Sequence, residues 1–249
     1  MSYLKLTVLV DNNTFIDKYY FGEPAVSYYI EDGDKRILFD AGYSDLFIRN
    51  AQALGIDLSK VTDIVISHGH DDHTGGLKYF FEQFSVPRIK ITAHPKVLDI
   101  GLYSKYADLA LTEKPVKISD NIWFLGEIPS LNDFEERKPI DGDYLFDDSA
   151  IAYTGEKGIY IITGCSHSGI CNIIAYGKQV CGDHRVAGVI GGFHLFDIDS
   201  RVQRTIDYFT ESDISELYPC HCVSLGVKAE INRHIPILEA GVSLELEVK

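Results

Sequence analysis

Chemistry is most concentrated in this chain just after Asp63-Ile64-Val65-Ile66. The next residues are Ser67-His68-Gly69-His70-Asp71-Asp72-His73-Thr74-Gly75-Gly76. A short apolar run bounded by turn residues reads as a buried strand. The Gly-Gly pair before Leu77-Lys78-Tyr79-Phe80-Phe81 reads as a turn into a helix. The polar cluster is therefore expected on a loop at a strand's end. Imidazole and carboxylate are the ligands that borderline divalent metals prefer. In extended backbone His68 and His70 point the same way and can grip one ion. Asp72 and His73 follow where the chain turns and can face a second ion beside the first. A polar loop with solvated histidines is the bland alternative, and the full pattern in its strand-to-helix context argues against it.

Overall charge narrows the substrate. The formal net charge is -14, and no Lys/Arg cluster interrupts the acidic surface. Such a field repels phosphate backbones, so nucleic acid is disfavoured as a substrate, although solubility alone accounts for most of the acidity; no membrane partner is expected. The five cysteines, at 165, 171, 181, 220 and 222, all fall in the last third and are odd in number. That is no secreted disulfide framework. Lys5 to Val10 is too short for a signal peptide, and no apolar run approaches the ~20 residues needed to span a bilayer. A reducing cytoplasm is the expected compartment, and oligomeric state is not legible.

The pattern of apolar runs predicts strands at Lys5 to Val10, Ala25 to Ile30 and Arg36 to Phe39, with a hairpin at Asp32-Gly33-Asp34. A helix over Leu46 to Leu54 ends at Gly55. Val61 to Ser67 is a strand, Leu77 to Phe84 a helix and Arg88 to Thr92 a strand. The segment from about Pro95 to Gly142 is irregular, apart from strand character at Ile122 to Leu125. It reads as an elaboration over the site (about 95–145) within a single domain spanning 1–249. Regular patterning resumes with a hairpin of Ser149 to Tyr153 and Gly158 to Thr163. Then follow a helix (Gly169 to Tyr176), a strand (Val186 to Ile190), a helix (Arg201 to Phe209) and a strand (Ile214 to Pro219). A short helix (Val227 to Ile235) and a strand (Ser243 to Val248) close the chain. Strands followed by a helix, in two successive halves, predict two sheets face to face with helices outside, a four-layer αββα sandwich.

Other strand ends carry further candidates. Thr163-Gly164-Cys165-Ser166-His167-Ser168-Gly169 repeats the strand-turn-helix layout, making His167 a third ligand for the first metal. Cys165 is either a thiolate ligand or a small buried apolar residue. His194, in Gly191-Gly192-Phe193-His194-Leu195, suits proton transfer or substrate contact better than ligation. His221, in Pro219-Cys220-His221-Cys222, would join Asp72 and His73 at the second site. In extended backbone its flanking cysteines point away from it and read as core. Asp40 ends a strand where a carboxylate can orient a ligating imidazole, whereas Asp11 reads as a turn-forming residue. His94, His184 and His234 read as surface histidines.

Taken together these residues resemble the metallo-β-lactamase superfamily over nearly the whole chain. Its His-x-His-x-Asp-His signature is met by His68, His70, Asp72 and His73, and its strand-ending Asp by Asp40. A narrower resemblance rests on Gly126-Glu127-Ile128-Pro129, Asp147-Asp148-Ser149-Ala150, Gly164-Cys165-Ser166-His167, Gly191-Gly192-Phe193-His194-Leu195 and Cys220-His221-Cys222. These are similar to the subgroup named for 7,8-dihydropterin-6-methyl-4-(β-D-ribofuranosyl)aminobenzene-5'-phosphate synthase. The chain departs from the wider family where Cys165 follows Thr163-Gly164 in place of the bridging Asp. It departs again where Asp147 and Asp148 stand in place of the third histidine. Either His167 or an Asp then completes the first site.

The resemblance implies one or two divalent metal ions, zinc first, with iron or manganese as alternatives. His68, His70 and His167 would hold one ion; Asp72, His73 and His221 the other. Asp72 and His194 would serve the chemistry, and Asp40 would support the ligands. The expected activity is hydrolysis of a small phosphorylated or pterin-like molecule by metal-bound hydroxide. A synthase that joins two such substrates, and a non-catalytic metal or ligand sensor, are the alternatives.

Overall fold

The computed structural model describes residues 3–249 except 88, 98, 138, 140, 141, 143 and 144. Arg88, expected at a strand's start, lies outside the described residues. The chain divides into two compact units, Met1–Glu113 with Ala240–Lys249, and Lys114–Glu239.

The first unit is a mixed sheet with helices. Its elements in order are β1 (Leu4–Val10), β2 (Ser27–Asp32), β3 (Lys35–Phe39), α1 (Leu46–Ala53), β4 (Asp63–Val65), α2 (Asp71–Thr74), α3 (Leu77–Gln83), β5 (Lys90–Ala93) and β6 (Asp108–Leu111). β1, β2 and β3 pair antiparallel; β3, β4, β5 and β6 run parallel; the closing strand Glu245–Val248 pairs antiparallel with β1. The β2–β3 hairpin turns at Gly33-Asp34, with Asp32 opposite Lys35, as the Asp-Gly signal predicts. Leu38, Ile64 and Ile91 of the sheet form a core with Phe47 and Ala51 of α1 and Leu77 and Phe80 of α3. Phe47 and Phe80 are wholly buried. Each such side chain contributes roughly 1.5–3 kcal/mol, which anchors the helices flanking the polar motif.

The second unit repeats the plan. It contains β7 (Val116–Lys117), β8 (Ile122–Phe124), β9 (Ala150–Gly155), β10 (Gly158–Thr163), α4 (Ile170–Cys181), β11 (Val186–Gly191), α5 (Ser200–Glu211), β12 (Glu216–Pro219) and α6 (Leu225–His234). The sheet order is β12-β11-β10-β9-β8-β7, parallel from β10 to β12 and antiparallel elsewhere. Ile161, Val189 and Leu217 share a core with Ile173 of α4, Ile206 of α5 and Val227 of α6. Asp199 caps α5, its Oδ1 accepting from Arg201 N at 2.9 Å and Val202 N at 3.0 Å. Ser224 caps α6 three residues before the predicted start, accepting from Val227 N at 3.2 Å.

Three elements were not legible. α2 forms inside the motif expected as loop. β6 (Asp-Leu-Ala-Leu) and β7 are too short for a period to show, and they begin to order the irregular middle. Among the described residues no helix is long and apolar enough to cross a membrane.

Part of that middle segment is tied to the start of α4. Glu135 is 1% exposed, and its carboxylate accepts from Cys171 N at 3.0 Å, Asn172 N at 2.9 Å and Asn132 Nδ2 at 2.8 Å. Asn172 Oδ1 in turn accepts from Leu131 N at 2.7 Å. A carboxylate on orphan N–H groups at a helix start is favoured both by hydrogen bonding and by the helix dipole. Asp148 does comparable work one turn earlier, its Oδ2 accepting from Ser168 N at 2.8 Å and Ser168 Oγ at 2.6 Å. Burial pushes the Asp148 carboxyl up to about 7, against the opposing pull of the Ser168 bonds.

Two outcomes are expected. Glu135→Ala should cost about 2–4 kcal/mol in urea unfolding, because it strands buried donors at α4. Alanine at the exposed neighbour Glu136 should stay within about 0.5 kcal/mol of wild type; equal effects at the two positions would contradict the tie. For Asp148 the folded-state pKa lies above the unfolded one, so the folded chain holds an extra proton between about pH 4 and 7. Its contribution to stability therefore falls as pH rises through that window, by roughly 3–5 kcal/mol in all. Asp148→Asn should flatten that part of the stability–pH curve, and parallel curves for variant and wild type would contradict the assignment.

Candidate metal centre

In the first unit the site is built around one buried anion. β3 ends at Phe39, and Asp40 follows in the left-handed region, with φ 54°. Its Oδ1 accepts from Ser67 N at 2.8 Å, and its Oδ2 accepts from Ser67 Oγ at 2.6 Å and lies 2.7 Å from His73 Nδ1. The proton of His73 thus sits on Nδ1, and Nε2 presents a lone pair. Ser67 Oγ also meets His68 Nδ1 at 3.0 Å. Because its own hydrogen goes to Asp40, the His68 ring donates from Nδ1, and its Nε2 likewise becomes an acceptor.

The backbone around the motif is held as firmly as the side chains. Ala41 N donates to His73 O at 2.8 Å, Val26 N to Asp72 O at 3.2 Å and Gly76 N to Gly42 O at 2.9 Å. A Cβ on Gly76 would come within 2.0 Å of Ala41 O. The Gly-Gly pair is therefore as much a close-approach point as a turn.

His68 and His73 are wholly buried. Their ring centroids lie 4.1 Å apart, and those of His68 and His70 4.6 Å apart. Asp72 Oδ2 lies 3.4 Å from His73 Nε2. Burial is the largest single influence on His73 and works to lower its pKa. The charges and hydrogen bonds of Asp40 and Asp72 outweigh it and carry the ring up to about 10. Without a metal that pull keeps a proton on Nε2 as well, so Nε2 would offer its lone pair only to a cation that displaces the proton. Imidazoles this close favour one shared cation over several protons. The donor set of this tip therefore fits a divalent metal of borderline character.

In the second unit, tips of the parallel strands carry the remaining candidates. His167 follows β10 and His194 follows β11, their ring centroids 4.3 Å apart. The His194 ring also meets Phe196 edge-on at 4.9 Å. His194 and His221 both adopt left-handed backbone, with φ 51° and 50°. Asp148 is committed to Ser168, and Asp147 is buried beside it. Asp11 is buried and accepts from Asn13 N at 2.8 Å, a turn-forming role.

Two readings of the sequence need correction. Cys220 is core, at 1% exposed, but Cys222 is not simply core. The left-handed turn at His221 breaks the extended alternation on which that reading rested. Cys222 Sγ comes to 3.2 Å from Cys165 Sγ, and both sulfurs share a cluster with a His221 ring nitrogen. No residue type at 221 announces that turn, so Cys222 was missed. His94 is wholly buried, not a surface histidine; it directly follows β5 and accepts from Lys96 N at 3.1 Å. His184 and His234 are exposed as expected.

Known proteins resemble this chain in family and fold. The metallo-beta-lactamase superfamily model matches residues 20–221. An uncharacterized protein of Methanocaldococcus jannaschii is 37% identical over 244 residues, covering 90% of this chain and 91% of its own. The 7,8-dihydropterin-6-methyl-4-(beta-D-ribofuranosyl)-aminobenzene-5'-phosphate synthase of the same organism is 28% identical over 265 residues, covering 91% and 89%. The crystal structure of Tm1679, a metal-dependent hydrolase of the beta-lactamase superfamily, superposes with a TM-score of 0.82 at 27% identity over 99% of both chains. The fold is thus the α/β metallo-β-lactamase fold with its two mixed sheets and helices. With the signature histidines held on one buried aspartate and the family model spanning most of its length, this chain belongs to the metallo-β-lactamase superfamily.

Proposed function

We propose that this single-domain protein is a metal-dependent hydrolase of small phosphorylated or pterin-like molecules. The observation that carries the reading is the Asp40–Ser67–His73–His68 network, which fixes two buried imidazoles with their Nε2 atoms as acceptors. The family match supports the reading, since it begins before Asp40 and ends on His221. His68, His70 and His167 would hold one ion, and Asp72, His73 and His221 another, with zinc the first choice. A divalent metal there supplies Lewis acidity and lowers the pKa of water from 15.7 to about 7.

The chain's own residues would do the rest. Asp40 keeps His73 in the ligating tautomer. Asp72 is placed to ligate and to accept a proton. His194 would donate a proton to the leaving group or contact substrate, its ring braced by Phe196. The net charge of -14 supports a small substrate over nucleic acid, and a cytoplasmic setting suits the thiols. A synthase reaction is the second reading, favoured by the 28% identical relative.

Phosphodiester turnover, followed with bis(p-nitrophenyl) phosphate, should fall at least about 100-fold on chelation and return with zinc. His68→Ala and His167→Ala should each lower metal per chain by elemental analysis. Chelator-insensitive turnover, or unchanged metal in both variants, would remove the hydrolytic centre. Condensation of a pterin pyrophosphate with a ribofuranosylaminobenzene phosphate, in the absence of diester hydrolysis, would favour the synthase. A subtler outcome concerns Asp40→Asn, which should keep the far-ultraviolet dichroism of the fold yet weaken metal affinity about 10–100-fold. Asp11→Asn should leave affinity unchanged. Equal affinities for Asp40→Asn and wild type would deny Asp40 its orienting role.

A further inference from the structure

Three parallel strand tips in the second unit are knitted so tightly that two thiols meet. Cys165 follows β10, Cys222 lies beyond β12, and β11 runs between them. Gly192 N donates to Gly164 O at 2.9 Å, Ser166 Oγ to Gly192 O at 2.7 Å, Cys220 N to Gly191 O at 2.9 Å and Leu195 N to Cys222 O at 3.2 Å. These bonds fix the backbone on both sides of the pair. Gly192 leaves room for it, since a Cβ there would stand 2.4 Å from Cys222 Sγ. Cys165 is 4% exposed, while Cys222 is partly open to solvent.

The sulfur separation of 3.2 Å lies between the spacings that two uses require. Thiolates sharing one tetrahedral zinc, each ~2.3 Å from it, stand about 3.8 Å apart. A disulfide needs ~2.05 Å. The pair lies about 0.6 Å inside the first spacing and about 1.1 Å outside the second, gaps that small side-chain rotations cover, and only the second is reached without an ion.

We propose that Cys165 and Cys222 are a redox couple that closes to an intrachain disulfide by exchange with small-molecule disulfides. The more accessible Cys222 thiolate attacks one sulfur of the reagent and expels a thiolate, leaving a mixed disulfide. The Cys165 thiolate then attacks the Cys222 sulfur and expels the second thiolate. The two protein thiols lose two protons and two electrons, and the reagent leaves as two reduced thiols. Cys171 is buried in α4 and Cys181 ends that helix, so neither joins the couple. A His221 ring nitrogen lies within 4.8 Å of both sulfurs, so closure also constrains the tip that carries it. On the metal reading proposed above, the oxidised chain then retains less metal.

The test equilibrates the purified full chain in glutathione buffers from reducing to oxidising. Samples are quenched in acid, unfolded and alkylated, and thiols are counted by intact mass. Oxidising buffers should leave two fewer alkylatable thiols and give a Cys165–Cys222 cross-linked peptide. Cys165→Ser should stop at a glutathione adduct on Cys222, and Cys181→Ser should close as wild type does. All five thiols surviving throughout, or a link between Cys220 and Cys222, would overturn the couple. Thiol counting is independent of metal content, so it stands apart from the chelation test. Unchanged metal retention in a chain shown to be cross-linked would overturn the coupling to His221.

Discussion

One buried carboxylate sets the geometry on which the candidate centre depends. Removing Asp40 from water costs several kcal/mol, and that cost is offset only because every oxygen is engaged. Two donors come from Ser67 and one from His73, at 2.8, 2.6 and 2.7 Å. The same bonds choose the tautomer of His73 and, through Ser67, that of His68. A neutral residue at position 40 would leave two buried rings free to choose either nitrogen. The left-handed backbone at Asp40 belongs to this arrangement, since Asp tolerates that region better than most residues. Strain at a strand's end thus aims an anion at the next strand's tip.

Legibility in the sequence followed the range of the forces involved. The motif histidines, the Asp40 support and the two sheets were readable because periodicity and short spacing report local geometry. β2, β3, β9 and β10 announced themselves by apolar runs and turn residues between them. Cys222 was not readable because its place hangs on one left-handed residue, His221, and on the missing side chain of Gly192, 30 residues earlier in sequence. His94 was misread because an isolated histidine beside a proline carries no sign of which face its strand buries.

The irregular middle failed to show its structure for a different reason. Its order comes from polar ties, not from apolar repetition. Glu135 and Asn172 bind it to the start of α4 through bonds between residues 36 to 41 positions apart. An acidic stretch such as Asn132 to Glu136 looks like solvated surface until the buried helix terminus it serves is known. Exposed Asp133 and Glu136 flank the buried Glu135, so composition alone could not single it out.

The polar strand tips of the two units differ in chemistry. The first unit offers imidazoles and carboxylates, which exchange protons and metals but not electrons under physiological conditions. The second offers imidazoles beside two thiols whose sulfurs already touch. Soft thiolates raise affinity for zinc above that of manganese or magnesium, but only while reduced. A pair held 3.2 Å apart by a hydrogen-bonded backbone keeps little conformational entropy to lose on closing. Oxidation there is correspondingly favoured over that of the chain's other cysteines. On the couple proposed above, the second unit is where redox state would enter the fold.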